Sequence, residues 1–427
     1  MAASAPAHGA LPASNATPRA LVAAVVALFF IWGGLTSLND ILIPKLKGMF
    51  ALSYTEAMFS QFAFFMAYFL VSLPAGALIA RVGYVRGIVI GLVTMAIGCL
   101  LFIPASSSGV YTTFLGALFV LAAGITILQV AANPLIARLG SAETAHSRLT
   151  LAQGFNALGT TLFPPIGAAI ILGSLTTVDP ALLSAADRTD FLAREAGAIS
   201  FAYVIIAFTL AAVAGYFWRR RNQLSLAAEA SSSNLGDSLR LLGRPRLGGG
   251  VVAIFLYVGA EVAIGSMLVN YLAQPSILGI GEKAAGSLLA LYWGGAMVGR
   301  FGGAWLLRRI APGLLLACFA IAAVALVTLS GFSSGSLAGF SLLAVGLFNS
   351  IMFPTIFSLG IEGLGDATPQ GSGLLCMGIV GGAIIPLLLG LLADAAGLSA
   401  ALGVPALCYI AIASYGWSVR RAAVAPI

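Results

Sequence analysis

Residues 29–44 read FFIWGGLTSLNDILIP. The stretch lies in the first long apolar segment and places Asn39 and Asp40 near that segment's far end. A carboxylate among lipid-facing residues costs roughly 2.5–3.5 kcal/mol on insertion scales, so it is normally kept for a task. The stretch reads as one wall of a transport path.

Composition points the same way. The chain has 427 residues, of which 60% are hydrophobic and 8% charged. Soluble domains carry about 25% charged residues, so no water-soluble fold hides this much apolar surface and the chain is an integral membrane protein. Its apolar runs are long and Gly-rich rather than alternating at period two, which favours helices over an outer-membrane barrel. The net charge of +7 reads as membrane topology rather than nucleic-acid binding. Cys99, Cys318, Cys376 and Cys408 all fall in apolar segments, form no CxxC pair, and are expected to pack as small hydrophobes. Residues 1–18 are Ala/Pro/Ser-rich and expected to be a disordered tail. No short apolar region with a cleavage site precedes the first span, so no removed signal peptide is expected.

Twelve segments are long and apolar enough to cross a bilayer: 20–44, 56–80, 86–104, 111–138, 148–173, 197–218, 249–273, 285–307, 313–331, 336–360, 371–394 and 400–419. Twelve spans put both termini on one side. With that side in the cytoplasm, fifteen basic residues fall inside: Arg19, Arg81, Arg86, Arg138, Arg148, Arg219, Arg220, Arg221, Arg240, Arg244, Arg246, Arg308, Arg309, Arg420 and Arg421. Five fall outside: Lys45, Lys47, Arg188, Arg194 and Lys283. The bias supports both the span count and the orientation. Residues 219–248, opening with a run of three arginines and then a Ser-rich patch, read as a cytoplasmic linker between a half over 19–218 and a half over 249–421, with 422–427 a short tail. The charged outer loop 174–196 suggests a short surface helix.

The halves look duplicated. Gly76-Ala77 before Arg81 (GALIAR) recurs as Gly303-Ala304 before Arg308 (GAWLLR). PLIARLG from Pro134 recurs as PTIFSLG from Pro354, late in the fourth span of each half. The expected fold is an all-α membrane protein of twelve helices in two six-helix pseudo-symmetric halves.

The polar residues inside these spans are the candidate site. Asp40 sits about 30 Å along the first helix, and two readings stand: an interfacial carboxylate beside Lys45 or Lys47, or a proton carrier. Glu261, in YVGAEVAIGSMLVNYL, lies close to the bilayer middle with no Lys or Arg in its segment; it is either a neutral buried acid or a substrate or proton site. Asn270 lies near the outer end of that span, at the site or only at the interface. Gln129 and Asn133 in the fourth span share a face, as do Gln153 and Asn156 in the fifth, and Gln129 and Asn156 can meet at similar depth. Plain interhelical amide bonding is the alternative there, worth about 0.6 kcal/mol per contact. Tyr292, Trp293 and Asn349 stand in the other half. Amides, carboxylates and aromatic rings suit a neutral polyol, whose hydroxyls take bidentate partners and whose C–H faces stack. Arg300 reads as structural, tied to an inner gate near Arg308.

SLNDILIP (37–44), AANP (131–134), RLTLAQGFNALG (148–159), YVGAE (257–261), GRFGG (299–303) and PTIFSLG (354–360) together resemble the fucose and glucose/galactose permease branch of the major facilitator superfamily, from about residue 25 to 420. The resemblance implies a proton-coupled monosaccharide importer of the bacterial inner membrane, with Asp40 on the family's first-helix proton-linked aspartate. Gln129 replaces a second acidic residue of the fucose carriers, and with Glu261 it looks more like the glucose/galactose and N-acetylglucosamine side. Ala80 stands where an Asp is usual in the loop motif, leaving Gly76, Arg81 and Gly83 to carry the cytoplasmic gate with Arg300 and Arg308.

The expectation is therefore an alternating-access symporter moving a glucose/galactose-type hexose inward with protons. Asp40 and Glu261 would couple protons. Asn39, Gln129, Asn133, Gln153, Asn156, Glu261, Asn270, Tyr292, Trp293 and Asn349 would bind sugar. No cofactor, metal or nucleic acid is called for, and the chain is expected to work as a monomer in the bilayer. Alternatives are an N-acetylglucosamine or fucose symporter, a sodium-coupled one, or a drug or metabolite exporter on the same fold. The chain has no HExxH, GxSxG or Walker A motif, and His8 and His146 lie outside the spans, so an enzyme is not expected.

Overall fold

The computed structural model describes residues 19–50, 54–108, 110–171, 185–222 and 235–420, with side chains described over 21–37, 59–106, 110–164, 197, 200–222 and 236–420. All regular structure among them is helical. The first half holds α1 (Arg19–Phe50), α2 (Tyr54–Val82), α3 (Tyr84–Ser108), α4 (Tyr111–Arg138), α5 (Ala145–Ile171) and α6 (Ala185–Arg220). A short α7 (Leu235–Arg240) and a 3-10 turn lead into the second half. That half holds α8 (Pro245–Ala273), α9 (Glu282–Leu306), α10 (Pro312–Phe332), α11 (Gly335–Asn349), α12 (Met352–Ile361), α13 (Thr368–Met377), α14 (Gly381–Ala396), α15 (Leu398–Ala401) and α16 (Gly403–Ser418).

The tenth, eleventh and twelfth spans are thus each built from two helices: α11–α12, α13–α14 and α15–α16. Two further differences from the sequence reading concern loops. Residues 185–196 of the charged outer loop are the start of α6 itself rather than a separate surface helix, and α8 begins at Pro245, inside the linker. Proline suits that first turn because its missing N–H would be unpaired there anyway.

Among the described residues nine helical stretches are long and apolar enough to cross a membrane, and α1 adds a shorter one, Leu21–Ser37. α9, which carries Arg300, falls below the same measure, as does the part of α5 whose side chains are described (145–164), which carries His146, Arg148, Gln153 and Asn156. Large apolar side chains face outward around the bundle, with Phe332 91%, Phe208 73%, Leu407 69% and Leu391 68% exposed. Such a surface needs lipid rather than water around it. Cys99, Cys376 and Cys408 are buried as expected of packing residues; Cys318 is exposed on the outer surface of α10.

The two halves pair their helices alike. α1 packs on α5, α3 on α4 and α6, and α2 on α4. The same order recurs as α8 on α14, α10 on α11 and α16, and α9 on α11. Without a hydrophobic drive between helices in lipid, close packing depends on small residues. A Cβ on Gly33 would strike the Asn156 carbonyl, and one on Gly159 the Phe30 carbonyl, so α1 and α5 touch through backbone. In the second half a Cβ on Gly381 would strike the Phe255 carbonyl.

The arginines at the end of α4, the start of α5, the end of α6, the start of α8 and the ends of α9 and α16 gather at one end of the bundle, called here the basic face. Toward this face the halves meet along two seams, α2 against α13 and α5 against α9 and α12.

Candidate functional site

In the second half Glu261 is the centre of a hydrogen-bonded cluster. It lies sixteen residues into α8, about 24 Å along a helix of about 43 Å. Tyr257, one turn earlier on the same face, donates its hydroxyl to Glu261 Oε1 at 2.7 Å. Tyr292 of α9 donates to the Glu261 backbone carbonyl at 3.3 Å, and Asn349 Nδ2 donates to the Tyr292 hydroxyl at 2.8 Å. Tyr409 of α16 comes beside the Asn349 amide, yet neither its hydroxyl nor Asn349 Oδ1 meets a partner in hydrogen-bond geometry. Trp293 stacks edge-on to Tyr292 with centroids 5.1 Å apart and packs over Gly265, one turn beyond Glu261 on its own face of α8. The indole is 42% exposed. A half-buried carboxylate, phenols, an amide with an open acceptor and an indole face are thereby gathered in one place.

The first half presents amides instead. Gln129 of α4 donates to the Tyr68 hydroxyl of α2 at 2.6 Å. Gln153 of α5 donates to Asn133 Oδ1 at 3.3 Å, while Asn133 Nδ2 is buried with no partner. Asn156 donates to the Phe29 carbonyl at 3.0 Å, holding α5 against α1. All four amides are held by interhelical bonds, and the Asn133 amide keeps an unused donor.

Arg300 connects the two sets. Its Nη1 reaches the Gln153 carbonyl at 3.4 Å across the seam, its Nε reaches the Ser350 carbonyl at 3.3 Å, and its charge lies within electrostatic reach of Glu261. The Ser350 carbonyl is available for a reason visible in the sequence: its helical donor would be the N–H of residue 354, which is Pro354. The pseudo-equivalent proline does the same. Pro134 leaves the Val130 carbonyl without its helical donor, and Ser372 of α13 donates to it at 2.9 Å across the other seam. Arg300 therefore belongs to the site as well as to the seam.

Nearer the basic face the seams are tight. A Cβ on Gly76 would come 2.8 Å from the Pro369 carbonyl. Ser147 donates to the Ala304 carbonyl at 2.6 Å and accepts from Arg308 Nε at 3.2 Å. His146 Nδ1 lies 2.6 Å from Ser358 Oγ; burial, with Arg148 beside it, pushes the imidazole pKa down to about 4. Gly83, at φ +84°, ends α2 in the left-handed region that favours glycine. Arg81 is exposed and makes no hydrogen bond or ion pair among the described residues.

The structure does not bring every candidate into the cluster. Asn270 is exposed and stands nine residues from Glu261, half a turn round the helix to the opposite face. The side chains of Asn39 and Asp40 lie outside the described residues, though α1 runs through both positions. Pro44 has no N–H to serve as the helical donor for the Asp40 carbonyl. Sequence reasoning missed Tyr68, Tyr257 and Tyr409. Tyr257 was findable, at i−4 from Glu261; Tyr68 shares its face of α2 with Ser72 and Gly76 at i+4 and i+8.

The chain matches the Major Facilitator Superfamily over residues 21–378. It is 49% identical over 389 residues to a glucose/galactose transporter of Brucella abortus, covering 91% of each chain. It is 36% identical over 400 residues to the L-fucose-proton symporter of Escherichia coli K12, again covering 91% of each. Its fold is similar to the crystal structure of a Major Facilitator Superfamily transporter, FucP, in the outward conformation, with TM-score 0.87 and 34% identity over 95% of this chain and 99% of that one.

Proposed function

This chain belongs to the Major Facilitator Superfamily, and from that footing we propose that it carries a neutral hexose of the glucose/galactose type together with protons. The observation that carries the reading is the cluster on Glu261, with its tyrosines, Asn349 and an exposed indole, set across a seam from four amides. Unused acceptors on one side and an unused donor on the other suit a ligand rich in hydroxyls, each of which both gives and takes a hydrogen bond. No surplus of one charge favours an organic ion. Relatives bearing the names glucose/galactose transporter and L-fucose-proton symporter add support.

Glu261 binds sugar hydroxyls and shares proton coupling with Asp40. The basic face is cytoplasmic, in a bacterial inner membrane, with the chain working as a monomer. The seams closed toward that face then make this the outward-open arm of an alternating-access cycle.

Purified protein is screened by thermal shift against glucose, galactose, mannose, fucose and N-acetylglucosamine, then assayed in proteoliposomes with imposed proton or sodium gradients. Glucose or galactose should bind and accumulate under a proton gradient. Asp40→Asn should abolish accumulation while keeping sugar exchange. No binding by any hexose, or uptake that follows sodium alone, would overturn the corresponding part of the reading.

A further inference from the structure

The last span of each half ends on the same device. α6 closes with Tyr216-Phe217-Trp218-Arg219-Arg220-Arg221 and α16 with Tyr415-Gly416-Trp417-Ser418-Val419-Arg420, so Tyr, Trp and Arg recur at identical spacing. In both, the arginine folds back over the indole: the Arg221 guanidinium sits 4.0 Å from the Trp218 ring centroid and that of Arg420 sits 3.9 Å from Trp417. Both also donate Nη1 to the carbonyl of that same tryptophan, at 2.8 Å and 2.6 Å. The indoles remain 48% and 54% exposed. Among the described residues neither guanidinium has a carboxylate partner.

Beside each clamp lies a shallow cavity with further cations. One, of about 490 Å³, is lined by Gly215, Tyr216, Arg219 and Arg220. The other, of about 500 Å³, is lined by Arg244, Arg246, Ser418 and Val419, with Glu362 pairing Arg246. Trp305 and Arg309 stack similarly at 4.0 Å but at four-residue spacing and without the carbonyl bond.

We propose that these two clamps each hold the phosphate of an anionic phospholipid headgroup in the leaflet at the basic face, one lipid per half. Tryptophan settles at the headgroup level of a bilayer. A guanidinium stacked on an indole is held in one orientation, and its remaining N–H groups present the fork that matches phosphate oxygens. The adjoining cavity accommodates the rest of the headgroup against its arginines. The inference rests on the chain's being transmembrane and not on which solute it carries.

Protein in neutral detergent is heated with added phosphatidylglycerol, phosphatidylcholine or inorganic phosphate, and native mass spectrometry counts retained lipids. Phosphatidylglycerol should raise the unfolding midpoint by several degrees with two lipids retained, while the other two leave it unmoved. Arg221→Gln with Arg420→Gln should lose both effects, and either single change should leave one retained lipid. Arg221→Lys with Arg420→Lys keeps the charge but not the fork, and should lose most of the shift. A full shift in the lysine pair means diffuse surface charge, a shift with inorganic phosphate means a general anion site, and a shift surviving in the glutamine pair means lipid binds elsewhere; each outcome defeats the proposal. The shift caused by glucose or galactose is read alongside, so a failure of the sugar reading shows separately.

Discussion

The two halves arrange their helices alike and furnish their facing surfaces differently. In the first, Gln129, Asn133, Gln153 and Asn156 are neutral amides engaged across α1, α2, α4 and α5. In the second, Glu261 takes Tyr257 on its carboxylate and Tyr292 on its backbone carbonyl, with Asn349 behind them. Duplication preserves what packing requires, because the helix pairings are fixed by backbone contact at glycines such as Gly33, Gly159 and Gly381. It does not preserve the residues that face the seam, which are free to diverge. On the proposed reading this amounts to a division of labour, in which the first half would grip a polyol by directional hydrogen bonds and the second would add a charge that can be switched.

If that division is right, the largest loss comes from the charged side. Glu261→Ala should weaken hexose binding by about 10- to 100-fold, since a hydrogen bond to a charged group is worth about 1.5–3 kcal/mol; titration calorimetry reads it. Near-wild-type affinity would shift the grip wholly to the first half. Packing should respond symmetrically where chemistry does not. Gly159→Ala and Gly381→Ala each force a methyl onto a carbonyl in the equivalent helix pair, and each should lower stability by about 1–3 kcal/mol. A loss in one half only, measured by thermal unfolding, would break the structural equivalence.

His146 has no equivalent role in the second half. Its imidazole is held neutral in the closed seam with a pKa near 4, whereas an exposed histidine titrates near 6.5. The seam's contribution is complete above pH 6.5 and is lost progressively as pH falls from there toward 4, because the opened state takes up the proton first. At pH 5.5 the closed seam should be weaker by about 1.4 kcal/mol, and His146→Gln should remove that dependence. Spin-label distances across α5 and α12 measured from pH 7.5 to 5.5 test it. The smallest effect belongs to a single amide: Gln153→Leu should cost about 0.6 kcal/mol, near a threefold change in sugar affinity. A loss as large as that of Glu261→Ala would make the two halves equal partners.

Fold and site were legible to different depths. Hydropathy and the arginine distribution sufficed for the helical halves, because lipid imposes length and charge bias on every span. Glu261 stood out as an acid with no cation in its segment. Of its neighbours Tyr292 and Asn349 stood out as well; Tyr257, one turn away, looks like packing until its hydroxyl is located, and Tyr409 has no local signal. Arg300, near the cytoplasmic end of its span, reads from depth alone as a structural residue tied to the gate near Arg308. Its true engagement depends on a carbonyl vacated by Pro354 in a different helix, a relation invisible along the chain. Asn270 fell on the wrong face, where depth alone could not discriminate.

The interruptions at 350–351 and 378–380 divide the tenth and eleventh spans, whereas the fourth and fifth run unbroken as α4 and α5. Mechanically, α4 and α5 are continuous rods and the tenth and eleventh spans are jointed arms. When the protein closes over its cargo, the bending strain should collect at those joints, the first of which adjoins Asn349 and the Ser350 carbonyl held by Arg300, while the amide wall bends less. Backbone amides at the joints should then exchange with deuterium faster than those at the matching depth of α4 and α5, and should slow once sugar is bound.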